Sequence, residues 1–321
     1  MCTAISFNGD KSHYFGRNLD LEYCYQEHVV ITPRNYPFKF RNGALLQHHH
    51  AMIGMATISN GYPLYYEATN EVGLSMAGLN FPGIAAYHAK KKNKDNITPF
   101  ELIPWILGQC ATVVEAKEML LQLNVWNVPF SREFPLSPLH WMIADSESSI
   151  VVESMADGLK IYENPVGILT NNPPFPYHLY HLADFMHLSP DQAENRFSPL
   201  PQKPYSNGMG AMGLPGDFSS ASRFIRAAFV KGNSVSNGED VSQFFHILSS
   251  VAMPRGSVHM HDGRQEITYY SCCCDTKQGI YYYTTYDNSR ITAIKMGNCP
   301  LDADALYAFH LQKSPDIRWE N

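Results

Sequence analysis

MCTAISFNGDKSHYFGRNLD, Met1 to Asp20, sets two strand-like runs on either side of the turn signal Asn8-Gly9-Asp10-Lys11. Residues 2–7 alternate small, apolar and polar types, and His13 to Asn18 read as the returning strand. If Asn8 to Lys11 form a four-residue loop, Phe7 faces Ser12 and Cys2 faces Arg17. A two-residue Asn8-Gly9 loop instead puts Phe15 opposite Cys2. The longer loop is favoured, because it sets a guanidinium beside the thiol, and a permanent cation raises the thiolate fraction of a cysteine.

Cys2 is the residue on which the chemistry turns. Cysteine is small enough for the initiator Met1 to be trimmed, which leaves one residue with both a thiol and a free α-amine. Reference pKa values of ~8.5 for the thiol and ~7.7–8.0 for the amine make them a nucleophile and a base close enough in strength to exchange a proton. Asp20, just past the second strand, is placed to hold that amine by a charge-assisted hydrogen bond.

Outward from this hairpin the chain has 321 residues, 45% hydrophobic and 17% charged, which is ample material for a core. A net charge of −6 argues against a nucleic-acid partner, whose phosphates need clustered Lys and Arg. The one basic run, Lys90-Lys91-Lys92, reads as a solvated loop. No signal peptide is visible, and no apolar run approaches the ~20 residues needed to span a bilayer. Seven cysteines without a disulfide-framework spacing fit a reducing cytoplasm. Neither His48-His49-His50 nor Cys272-Cys273-Cys274 has the spacing of a structural metal site, so no metal is expected. The first reads as a surface turn. The second reads as a strand with Cys272 and Cys274 on one face and Cys273 on the other.

Further strands are expected at 28–32, 38–46, 51–59, 63–69 and 74–80. Two capped helices follow, opened by Thr98-Pro99-Phe100-Glu101 and by Thr112-Val113-Val114-Glu115, the second ending near Asn124. Strands return at 138–145, 149–155, 159–163 and 166–170, the last running into Asn171-Asn172-Pro173-Pro174. Helices at 177–188, 220–231 and 240–251 flank an irregular excursion at 189–216. Three strands, 266–274, 279–286 and 290–295, close the chain. Blocks of antiparallel strands alternating with helix pairs imply α+β layers in one domain, two sheets face to face with helices outside and the first strand central.

MCTAISF, FGRNLDLE, PRNYPF, NEVGLSMAGLNFPG, PLHWMIAD, VGILTNNPPF, GLPGDFSSASRF, FFHILSSV and YYYTTYDNSRI together resemble the choloylglycine hydrolase family. This family holds bile salt hydrolases and penicillin V acylases among the N-terminal nucleophile hydrolases. The resemblance runs from Cys2 to about Met296. It implies a four-layer αββα sandwich and amide hydrolysis with Cys2, exposed by loss of Met1, as nucleophile. It also implies active-site roles for Arg17, Asp20 and Arg223, an oxyanion hole from the Asn80 backbone N–H and the Asn171 side chain, and no cofactor. Asn172 and Arg226 are the neighbouring alternatives. Asn80, at a position commonly Tyr in the acylases, favours a bile salt hydrolase over a penicillin V acylase. The implied partner is then a glycine- or taurine-conjugated bile acid, with Leu19, Phe81, Phe130, Phe134 and Leu136 expected against the steroid, and a homotetramer is implied. A non-catalytic steroid- or lipid-binding protein on the same fold is the reading from another class.

Overall fold

The computed structural model describes residues 1–321. In chain order it contains β1 (Cys2–Asn8), β2 (His13–Leu21), β3 (His28–Thr32), β4 (Phe38–Lys39), β5 (Leu45–Leu46), β6 (Met52–Ser59), β7 (Tyr62–Asn70), β8 (Ser75–Asn80) and β9 (Asp95–Ile97). Helices α1 (Leu102–Gln109) and α2 (Val113–Leu121) lead to β10 (Leu123–Val125), β11 (Leu139–Ala144), β12 (Ser149–Met155), β13 (Gly158–Glu163) and β14 (Ile168–Leu169). Then come α3 (Phe175–His181), α4 (Ser220–Gly232), α5 (Asp240–Ser249), β15 (Ile267–Asp275), β16 (Ile280–Thr285), β17 (Thr292–Lys295) and β18 (Tyr307–His310).

Two large antiparallel sheets result. One runs β14-β1-β2-β15-β16-β17, the other β13-β12-β11-β8-β7-β6-β3-β18. Strand alternation decides what fills each layer. Cys2, Ala4, Phe15, Leu19, Cys272 and Cys274 turn inward and meet Val29, Ile31, Met55, Ala77 and Leu79 of the second sheet. On the opposite side of the first sheet, Phe7 and Tyr14 pack toward Phe244 of α5. The outer face of the second sheet, with Val30, Met76 and Trp141, is covered by Leu102, Ile106 and Leu107 of α1 and by Val113 and Ala116 of α2. The order is helix, sheet, sheet, helix, as the layers read from the sequence require.

The capping residues act as their spacing predicts. Glu101 Oε2 accepts from both Thr98 N (3.0 Å) and Thr98 Oγ1 (2.8 Å), and Thr112 Oγ1 accepts from Glu115 N at 3.2 Å. The Cys triplet lies on β15 with all three thiols buried, Cys272 opposite Arg17 and Cys273 opposite Gly16, on alternate faces.

Six expectations are corrected. The β1–β2 loop has four residues but is Gly9 to Ser12, because Asn8 pairs with His13 and the Gly9 N–H donates to Ser12 O. Cys2 therefore faces Leu19, and Arg17 faces Ala4, diagonal to Cys2 on the same inward face. β1 is second from the edge, and β2 and β15 are the central pair. Residues 38–46 are two short strands folded at Asn42-Gly43, where Gly43 has φ 93° and the Asn42 Oδ1 takes the Ala44 N–H. Helix α2 stops at Leu121, since Leu123–Val125 leaves it to pair in parallel with Asp95–Ile97, and a fourth late strand, β18, edges the second sheet. Of the His triplet His48 is exposed and His50 half-buried. His49 is buried against Phe38, its ring bonded to the carbonyls of Tyr36 and His50.

Candidate active site

Cys2 begins a strand whose outer neighbour is too short to satisfy it. β14 pairs only Leu169 with Ala4 and Ile168 with Ile5. Continued by two residues, that register puts Asn171 opposite Cys2. Asn171 supplies a side chain there instead of a ladder carbonyl. Its Oδ1 accepts the Cys2 N–H at 2.9 Å and Arg223 Nη2 at 2.7 Å, while its Nδ2 donates to Asn80 O at 2.7 Å. Arg223, from the first turns of α4, also bonds Cys2 O and Thr3 Oγ1 through Nη1, each at 2.6 Å, and Phe218 O through Nε at 3.0 Å. Burial pulls this guanidinium down from its ordinary value, against the attraction of Asp20 and Cys2. Arg226 instead bonds Ser250 O, Pro215 O and Asp217 O, outside the cluster.

The turn carrying Asn171 is held from behind. His178 Nε2 donates to Asn171 O at 2.9 Å, Ser220 Oγ accepts the Asn171 N–H at 2.8 Å, and His140 Nε2 bonds Thr170 O at 3.0 Å. Burial drives His178 down to about 4, so at neutral pH it is an uncharged donor. Asn172 points elsewhere, its Nδ2 on Pro82 O at 2.7 Å.

Asn80 ends β8. The Phe81 N–H bonds Pro138 O at 2.7 Å, so the neighbouring Asn80 backbone groups turn away from β11 toward β7. On that side the β7–β8 ladder stops at Glu67–Ala77. A bulge against Met55 and Ala56 makes Tyr66 the extra residue of β7, and such a bulge bends its strand away from its partner. Arg17 Nη1 occupies the resulting notch, 2.6 Å from Gly78 O and 3.2 Å from Tyr66 O. Its Nη2 is buried without a partner. Burial works to lower Arg17, but the acidic groups facing it, Cys2 ahead of Tyr270, Glu67 and Cys272 in strength, carry it above its ordinary value.

At the mouth of the hairpin, Met1 and Asp20 exchange main-chain bonds of 2.8 and 3.0 Å, and the Met1 ammonium also pairs with Glu266. Burial lowers that ammonium, while Cys2 and Asp20 act to raise it. Asp20 Oδ1 accepts Thr268 Oγ1 at 2.6 Å, and Oδ2 is buried with no partner. All six expected reacting-site residues thus fall in one cluster around Cys2. Thr3, Thr268 and Ser220, which support it, carry no local signal that distinguishes them from ordinary strand and cap residues.

The expected steroid contacts divide. A 320 Å³ cavity is lined by Cys24, Tyr25, Gln26, His28, Thr57, Ile58, Ser59 and Phe134. Thr57 Oγ1 bonds Tyr66 OH at 2.9 Å, and Tyr66 in turn holds Arg17, so the cavity wall is one residue from the site. Of the five expected residues, only Phe134 lines this space. Phe130 packs with Phe100, Tyr62 and Phe134 beneath Arg41, and Leu136 is half-buried beyond it. Leu19 and Phe81 are buried, Leu19 no more so than Cys2 itself. Leu19 lies in the inter-sheet core opposite Cys2, and Phe81 is fully buried in a face-to-face stack on His140 at 4.3 Å. Tyr25 and Ile58 were not expected there, because their apolar surface is contributed by a loop and a strand end without periodicity.

Residues 2–309 match the model of the choloylglycine hydrolase family of linear amide C–N hydrolases. The chain belongs to this family. It is 52% identical over 316 residues to the bile salt hydrolase/transferase of Lactiplantibacillus plantarum, covering 97% of each chain. To the bile salt hydrolase/transferase of Clostridium perfringens it is 37% identical, covering 100% of both. Among solved structures it is similar to a variant of the conjugated bile acid hydrolase from C. perfringens, with TM-score 0.94, 36% identity and full coverage of both chains. Penicillin V acylase from Agrobacterium tumefaciens shares the fold at TM-score 0.77 and 18% identity, with 97% of this chain and 92% of that one covered. As a choloylglycine hydrolase family member the chain is a linear amide hydrolase on the N-terminal nucleophile fold, α+β in class.

Proposed function

We propose that this enzyme cleaves the amide of glycine- or taurine-conjugated bile acids, with Cys2 as nucleophile once Met1 is removed. The observation that carries the reading is the anchoring of Cys2: its N–H on Asn171 and its carbonyl on Arg223, with a buried and unpartnered Arg17 Nη2 and Asp20 Oδ2 beside it. Removal of Met1 turns the Cys2 nitrogen from an amide into an amine, with Asn171 Oδ1 and Asp20 as its acceptors. That amine takes the thiol proton, directly or through water, and the thiolate attacks the amide carbonyl. Oxyanion charge develops between the Asn80 N–H and Asn171 Nδ2, and Arg17 stabilises the negative charge on the Cys2 side. The amine of the substrate leaves with a proton from the Cys2 α-amine. Water, activated by the same amine, then hydrolyses the thioester. No step calls on a metal or organic cofactor.

The apolar acyl group fits the space beside Phe134, Ile58 and Tyr25. The chain has no helix long and apolar enough to cross a membrane, and a cytoplasmic location accords with its seven free cysteines. Self-association, as in the homotetramer implied by resemblance, is supported by exposed apolar side chains on one excursion, among them Phe197, Leu200 and Tyr205.

A substrate panel tests the proposal. One preparation assayed with glycocholate, taurocholate and penicillin V is expected to hydrolyse the two conjugates faster than the penicillin. Preferred hydrolysis of penicillin V overturns the substrate assignment. Binding of all three without turnover points to the non-catalytic steroid binder.

A further inference from the structure

Arg17 is a fully buried guanidinium between two sheets, and an uncompensated charge there is strongly destabilising. Its nearest carboxylate is Glu67, on the bulged stretch of β7, with Oε2 3.8 Å from Arg17 Nη1. Glu67 is itself buried and receives three donors: Tyr281 OH at 2.6 Å and the Cys272 thiol at 3.5 Å on Oε1, and Tyr270 OH at 2.7 Å on Oε2. A carboxyl group surrounded by hydroxyl and thiol donors acts as an acceptor, and the guanidinium at 3.8 Å favours its ionised form.

We propose that Glu67 is a positioning residue for the hydrolysis, acting through Arg17. The carboxylate draws Nη1 into the notch on Tyr66 O and Gly78 O, which leaves Nη2 as the donor not engaged by the protein. It also offsets part of the cation's field at Cys2. Tyr270 and Tyr281, anchored in β15 and β16, fix the carboxylate in turn. The proposal rests on the reading of Cys2 as nucleophile. Burial lifts Glu67 above the ordinary carboxylate value, and Arg17, Tyr281 and Tyr270 counter it only in part, in that order. The titratable groups facing Arg17 are Cys2 on β1, Glu67 on β7, and Tyr270 and Cys272 on β15, while Tyr281 on β16 faces Glu67, Cys272 and Tyr270. Asp20 and Arg223 approach from the Cys2 side.

Glu67→Gln in the full-length enzyme removes the charge and keeps the shape. With Glu67 neutral, more of Arg17's field reaches Cys2, so the pH profile of Cys2 alkylation by iodoacetamide should move down by about half a pH unit or more. Loss of the carboxylate that sets the guanidinium's orientation beside Cys2 should lower kcat for glycocholate on the order of tenfold to a hundredfold, with KM changed far less. Glu67→Asp, which restores the charge, should return the alkylation profile toward the parent's. Tyr281→Phe, which removes one donor from Glu67 without changing shape, should shift the profile the same way by less, and serves if Glu67→Gln does not fold. A parental profile and kcat per active site in Glu67→Gln, with only a lower melting temperature, overturns the proposal. Cys2→Ala made alongside separates the two claims: hydrolysis surviving there defeats the nucleophile reading, whereas an inactive Cys2→Ala with an unaltered Glu67→Gln defeats this one alone.

Discussion

Cys2→Ala is expected to reduce release of glycine from glycocholate by ~10⁴-fold or more, because no other group of the cluster can form the thioester. The remaining five members only hold, orient or stabilise. The substitution trades a small buried thiol for a methyl at the start of a strand, and the main-chain bonds from Cys2 to Asn171 and Arg223 are untouched. The protein should therefore fold as the parent does, and its circular dichroism and melting temperature provide the control. Hydrolysis at the parent's rate in a folded Cys2→Ala protein would remove the nucleophile assignment.

Asn171→Asp is the second substitution with a large expected effect. Asn171 is an acceptor for Cys2 and Arg223 and a donor toward Asn80, so one amide both places the nucleophile and points an N–H at the site. Aspartate preserves the acceptor and loses the donor, and it sets a negative charge where oxyanion charge would develop. Loss of one such donor costs ~10²–10³ in kcat. Asn171→Ala should be worse for stability, since it also strips a buried acceptor from Arg223, at ~1–3 kcal/mol for the unsatisfied donor. A kcat for Asn171→Asp equal to the parent's contradicts a donor role for this side chain.

Much of the fold was legible because its signals are local. Alternation in β1, β2 and β15 and the two capped helices are short-range features, whereas the Asn42-Gly43 turn that splits 38–46 was passed over. What local patterning could not fix was register. Asn8 is as acceptable at the end of a strand as in a loop, and the one-position difference moved Cys2 from Arg17 to Leu19. Parity was preserved, which is why Arg17 still shares the face of Cys2. Asn171 and Arg223 were reachable only through family resemblance, since their meeting depends on a two-residue edge strand and a helix contributed from far along the chain. Glu67 left no readable signal. Its inward direction depends on the bulge at Tyr66, which resets the alternation of β7. For Leu19 and Phe81 local patterning is equally silent: apolar residues beside a site look the same in sequence whether they line a cavity or close the core behind it.

The most direct test of an N-terminal cysteine nucleophile is the intact mass of the purified, fully active enzyme, read together with the position of an iodoacetamide label. The expected result is a chain lighter by one methionine residue, beginning at Cys2, with inactivation proportional to alkylation of that residue. Full activity from a population that retains Met1 would contradict it.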